Sequence, residues 1–316
     1  MKLAVSGSLK RWALGLVWVL ALLGLVYGLR DVQMHVWRDR VQSVPVWAWL
    51  SALALWQCSL LCRAWRLRDE WLWRQGMSLW QTWRMTVLHN AAVLLMPLRA
   101  GEMGYPWMLQ RALAVSWIQA WRSLVWLRLQ DALVLLGLGV LLGIQVPVYG
   151  LLLAALAWVL VWRRGVWLLK SRHPLARRLR PWMHRRGTDS GWWLSLANWL
   201  CKLTAVALLL ELTLGGDATL NSWRAMQGAL GGELAALLPI QGPAGLGTYE
   251  GAVWLALQPL SLPLEEVVQA VLTVHVFCLI VSLLPAALVG LWAIWSGCAV
   301  FVSVVPAPAG RKGVHE

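Results

Sequence analysis

Leu237-Leu238-Pro239-Ile240-Gln241-Gly242-Pro243-Ala244-Gly245-Leu246-Gly247-Thr248-Tyr249-Glu250 interrupts an apolar stretch and lets it resume as far as Leu257. Proline removes an amide donor and glycine admits positive φ, so carbonyls and helix N-terminal amides become available where the chain turns. A second stretch follows the same grammar. Leu95-Met96-Pro97-Leu98-Arg99-Ala100-Gly101-Glu102 stops one apolar helix and continues as another to Leu113. Irregular backbone at membrane depth is tolerated only when it is packed in protein or lines a wet cavity. Taken alone, either stretch reads equally well as a loop with Pro and Gly as stop signals. As a pair in corresponding positions of two halves, they form the pattern of an inverted-repeat transporter with a midplane site.

The surrounding chain is membrane-like. Its 316 residues are 59% hydrophobic and 13% charged, with a mean hydropathy of +0.61, which excludes an ordinary soluble fold. Trp supplies 26 aromatic residues against four Tyr and two Phe, so most ring area belongs to the side chain that prefers the headgroup zone. The cysteines, Cys58, Cys62, Cys201, Cys278 and Cys298, are odd in number and lack paired C-x-x-C spacing. They read as small buried hydrophobes, which excludes a disulfide scaffold.

Apolar runs long enough to cross a ~30 Å hydrocarbon core lie at 13–29, 45–62, 123–142, 146–162, 192–214 and 267–298. The last contains Pro285 and reads as one kinked span or as two short ones. The net charge is +14, but the basic residues punctuate apolar runs and form no continuous patch, so no nucleic-acid partner is expected. Nineteen of the 28 Lys and Arg fall in four segments, 1–12, 63–84, 163–186 and 306–316. The positive-inside rule places these in the cytoplasm. The hairpin 123–142/146–162 between two of these segments already supplies an even number of crossings, so 85–110 must enter and return or lie in the interface. The same parity applies to 223–258 on the outer side.

Ionisable residues at membrane depth need partners or water. Arg128 and Asp131 stand three apart on one helix face, as a self-neutralising pair or as part of a site. Arg99 and Glu102 flank the first turn, as a solvated pair or as a basic side chain beside the amides near Gly101, which suits a lipid phosphate. The amides from Gly245 to Gly247 offer the same. Glu250, beside Tyr249, either caps its own helix or meets a cationic headgroup or a proton. Lys202, one turn after Asn198, snorkels or joins the cavity. Asn90 offers an amide to the broken backbone, and His275 reads as an interior imidazole before a proton relay. His89 reads as interfacial, and Glu211 and Glu233 as wet residues at the outer boundary. The loop 163–186 interleaves Trp167 and Trp182 with its bases, which suits anionic headgroups as well as a plain topology determinant. No Walker A, H-E-x-x-H, G-x-S-x-G or Cys/His metal pattern occurs, so no cofactor or metal is expected.

At the two interrupted stretches the chain resembles the lysylphosphatidylglycerol synthase transmembrane region family. The family pattern Pro-Gly-x-x-Gly-Glu corresponds to Pro97-Leu98-Arg99-Ala100-Gly101-Glu102, with Leu98 for a glycine. Glu-Arg-x-x-Asp is similar to Leu127-Arg128-Leu129-Gln130-Asp131, and Pro-Gly-Gly-Leu-Gly-x-x-Glu to Pro243-Ala244-Gly245-Leu246-Gly247-Thr248-Tyr249-Glu250, with Ala244 for a glycine. An arginine common early in the family's final helix would fall near His275. The resemblance implies a stand-alone member without the synthase domain, in a bacterial inner membrane, that moves or binds a polar lipid.

The expectation is an all-α polytopic membrane protein with about six to eight transmembrane helices and two re-entrant broken-helix hairpins in inverted-repeat arrangement. One integral domain would span 1–305, with a short tail at 306–316 and both termini cytoplasmic. The expected function is flipping of an anionic or zwitterionic phospholipid through a groove between the hairpins. The rivals are a membrane-embedded transferase using Glu102, Asp131 or Glu250 as a base on a lipid carrier, and a non-transporting accessory subunit of a lipid-modifying enzyme.

Overall fold

The computed structural model describes residues 34–71, 77–143, 188–215, 220–236, 243–260 and 262–296. Among these residues there are nine α-helices, three 3-10 turns and no strand. Helix α1 (Met34–Ser43) meets α2 (Val46–Trp71) at an 85° bend beside Pro45, where the ring excludes a continuous helix. Helix α3 (Leu79–Leu95) is followed by a 3-10 turn (Pro97–Met103), α4 (Gly104–Leu113) and α5 (Trp117–Leu141). Then come α6 (Thr188–Thr213), α7 (Ser222–Ala235), a 3-10 turn (Pro243–Gly245), α8 (Thr248–Leu257), a 3-10 turn (Gln258–Leu260) and α9 (Leu264–Ser296).

Local chemistry sets these boundaries. Ser78 and Ser116 start α3 and α5 with reciprocal caps, each hydroxyl accepting from the amide of Gln81 or Gln119 while that glutamine's side chain returns to the serine amide. Such boxes satisfy two otherwise orphaned donors. Helix α3 ends just before Pro97, because the residue preceding a proline is pushed out of helical conformation.

The order of elements repeats. A 26-residue helix, a broken pair of 17 and 10 residues and a 25-residue helix (α2 to α5) are followed by a 26-residue helix, a broken pair of 14 and 10 and a 33-residue helix (α6 to α9). Each broken pair folds back on itself. In the first, a Cβ on Gly101 would lie 2.1 Å from the Ala92 carbonyl oxygen, and the His89 and Tyr105 rings are 5.6 Å apart. In the second, positions 228 and 232 of α7 meet Leu257 and Tyr249 of α8 in reversed order, with a Cβ on Gly232 only 2.6 Å from the Tyr249 ring. Only residues without a Cβ permit these approaches.

Among the described residues, three helices are long and apolar enough to cross a membrane: α5, residues 190–213 of α6, and α9. The bent α1–α2 pair passes the same test if taken as one span. The expected runs at 13–29 and 146–162, the basic loop 163–186 and the tail 306–316 lie outside the described residues. Helix α9 is unbroken through the buried Pro285, so the stretch from 267 is one helix. One lost backbone bond is outweighed by the rest of the ladder and by packing. The run expected at 45–62 is too short. Helix α2 continues to Trp71 and carries Arg63, Arg66 and Arg68 with it, because arginine is a good helix former and neighbouring helices supply partners for its charge. Outward faces are strongly apolar, with Leu291 64%, Ile294 81% and Trp295 90% exposed, a surface suited to an apolar surrounding.

Candidate functional site

A cavity of about 150 Å³ lies between the two hairpins. Helix α2 contributes Ser59 and Arg63, α3 contributes Asn90, and α5 contributes Arg128. Asn198 and Lys202 enter from α6 and Glu233 from α7, while Gly245, Tyr249 and His275 form the wall beside the second turn. Three cations and one carboxylate therefore face the same space.

Each cation arrives with a specific partner. Arg128 Nη2 lies 2.7 Å from Glu102 Oε1, and Arg128 Nε donates to Glu102 Oε2 at 3.3 Å. Lys202 Nζ donates to Glu233 Oε2 at 2.6 Å and sits 5.0 Å from the Trp56 ring centroid and 5.3 Å from that of Trp199. A cation over an aromatic face keeps part of its stabilisation when desolvated. Arg63 donates from Nη1 to Asn90 Oδ1 at 3.0 Å and meets no carboxylate within ion-pair distance among the described residues. Asn198 Oδ1 accepts from Ser59 Oγ at 2.8 Å.

The pairing expected within the α5 helix does not form. Asp131 instead receives a two-pronged bond from Arg66 of α2, at 2.6 and 2.9 Å. It also accepts from Ser195 Oγ at 2.7 Å and Trp199 Nε1 at 3.2 Å, both on α6. Three helices are joined at one carboxylate, which lies outside the main cavity but lines a smaller one of about 40 Å³ that shares Arg63 and Arg128 with it, so Asp131 is a structural junction behind the main site. A neighbouring guanidinium offers planar two-point geometry that a residue three positions along the same helix cannot match.

At the second turn, Glu250 Oε2 accepts from the Gly247 amide at 2.7 Å, and Oε1 lies 2.6 Å from His275 Nδ1. The reading of Glu250 as its own helix cap holds, with the imidazole as an added partner. His275 Nε2 lies 3.1 Å from the Ala244 carbonyl oxygen, and Thr248 Oγ1 donates to the Gly245 carbonyl at 2.9 Å. Ala244, Gly245 and Gly247 all have positive φ, at 53°, 84° and 81°.

Asn90, Arg128, Lys202, Gly245, Tyr249 and His275 are thus brought together around the cavity, with Glu102 behind Arg128 and Glu250 behind His275. Several expectations are corrected. Gly101 is buried against the α3 backbone and does not line the cavity. The Gly247 amide is occupied by Glu250. Asn90 serves Arg63 and not the broken backbone. His89 is buried, with Nε2 3.5 Å from Glu102 Oε2, rather than interfacial. Glu233 is 3% exposed and ion-paired rather than wet. The side chain of Arg99 lies outside the described residues. Arg63 was missed because the apolar run ends at Cys62, although helical continuity of the following Arg-rich stretch would have placed it on the same element. The sequence matches no protein-family model, and no curated protein matches it either.

Proposed function

We propose that this chain is a lipid flippase that carries a phosphate-bearing headgroup through the cavity between its two hairpins while the acyl chains stay in the bilayer. The supporting observation is the convergence of Arg63, Arg128 and Lys202 on one cavity, with Arg63 in no ion pair among the described residues. A phosphodiester oxygen is the acceptor such a guanidinium lacks. At about 30 Å³ per water, roughly five waters fill the cavity, a scale suited to one headgroup. Asn90 and Asn198 add neutral polar lining.

The acids that a transferase would need as a base are engaged elsewhere: Glu102 by Arg128, Asp131 by Arg66 and Glu250 by His275. That favours transport over catalysis. In this reading the two hairpins are re-entrant and inverted with respect to each other, and the cavity sits near the midplane of a bacterial inner membrane with both termini cytoplasmic. The chain is then a member of the lysylphosphatidylglycerol synthase transmembrane region family.

The test is reconstitution into phosphatidylcholine liposomes carrying a trace of NBD-phosphatidylglycerol. Dithionite should bleach well beyond the outer leaflet's share. Loss of one charge-assisted bond in Arg63→Gln should slow that bleaching by about tenfold or more. Bleaching that stops at the outer leaflet with folded wild-type protein rules the proposal out.

A further inference from the structure

Both ring nitrogens of His275 face acceptors. Nε2 lies 3.1 Å from the Ala244 carbonyl oxygen, which can only accept, so Nε2 carries a hydrogen. Nδ1 lies 2.6 Å from Glu250 Oε1. Two lone pairs do not approach so closely, so a second hydrogen lies between these atoms, on the ring or on the carboxyl. The pair therefore holds one proton more than a neutral imidazole beside a carboxylate. Its side chains are 6% and 7% exposed, and His275 forms part of the cavity wall.

We propose that His275 and Glu250 form a proton-binding site that couples movement of the second turn, and with it lipid passage, to a transmembrane proton gradient. This rests on the reading of the cavity as a headgroup path. With the extra proton gone, one N–H must serve two acceptors. Either the Nδ1 lone pair opposes the carboxylate or the Ala244 carbonyl loses its donor. Losing a bond of this kind shifts a two-state equilibrium by about tenfold or more. Ala244 is the residue least able to remain in place without it, because its φ of 53° is disfavoured for any residue with a Cβ. The Ala244–Gly245 turn lines the cavity, so its release changes the cavity wall.

The proton enters from one aqueous phase and leaves to the other, and only N–H and O–H bonds form and break. The groups around the imidazole are few. The Tyr249 ring lies tilted against it with centroids 4.6 Å apart, and Cys278 follows on the same helix. Lys202 of α6, Glu233 of α7, Arg63 of α2 and Arg128 of α5 share the cavity, while α3 contributes the non-titrating Asn90. The charged residues of α1 do not line it.

The experiment uses the full chain in the same NBD-phosphatidylglycerol liposomes with an imposed pH gradient. A gradient of one unit should drive leaflet asymmetry of the probe toward about tenfold, collapsing when a protonophore is added. In His275→Gln, the ratio of flipping with and without the gradient should fall to unity. A second readout needs no transport: amide exchange of residues 243–250, corrected for intrinsic pH dependence, should rise about tenfold with pH in the wild type and stay flat in His275→Gln and Glu250→Gln. Flipping that ignores the gradient, or a pH response retained by His275→Gln, overturns the coupling alone. Absence of flipping under every condition overturns the headgroup path and the coupling together, and the exchange readout then decides the proton site by itself.

Discussion

Arg128 reaches from α5 to Glu102 on the first hairpin, with Nη2 2.7 Å from Oε1, and lines the central cavity with the same side chain. One guanidinium thus anchors a turn and presents charge to the site. Replacing it with Gln removes both functions, whereas Lys keeps the charge but loses the two-point geometry. Flipping of NBD-phosphatidylglycerol should fall by about tenfold or more in Arg128→Gln and by less in Arg128→Lys. Equal rates in all three proteins would contradict this.

Asp131 and Arg66 should behave differently. Their side chains are 3% and 6% exposed, so truncating one leaves the other charged and buried. Asp131→Ala should destabilise the protein by about 3–5 kcal/mol. The double change Asp131→Ala with Arg66→Met should recover a substantial part of that loss. Equilibrium unfolding in mixed micelles measures both, and an Asp131→Ala protein as stable as the wild type would remove the junction role.

Gly101 and Gly251 make a matched pair of opposite sign. A Cβ at 101 would enter the α3 backbone at 2.1 Å, while nothing lies within 4 Å of one at 251. Gly101→Ala should cost about 1–3 kcal/mol or more, since backbone cannot step aside as a flexible side chain does. Gly251→Ala, inside α8, should instead gain about 0.5–1 kcal/mol. The same unfolding titrations decide it, and similar effects at both positions would argue against the close approach.

Ala244 occupies a position where φ is 53°, and glycine relieves that conformation. Ala244→Gly should raise stability by about 1 kcal/mol, read as a shifted unfolding midpoint. A lower midpoint would show that the turn prefers its Cβ.

Much of the fold is visible in the pattern of residues. Leu95-Met96-Pro97 and the Pro243-Ala244-Gly245 turn break their helices where proline and positive φ require it, and the two capping serines start α3 and α5 where their glutamines stand three residues later. Helical continuity through Arg63 and Arg66 is less visible, because a hydropathy run ends at the first charge even when the helix does not.

The sequence by itself determined that the chain is helical and apolar, that it breaks at two glycine–proline turns, and that few charges sit among its apolar stretches. These properties depend on neighbours a few positions away, through backbone dihedrals and local burial. Only the tertiary structure decided which charge meets which. Asp131 took Arg66 from 65 positions away over Arg128 from three, and Glu250 took His275 from 25 positions away. A buried carboxylate is stabilised by the donor with the best geometry, and that donor is supplied by whichever helix packs against it.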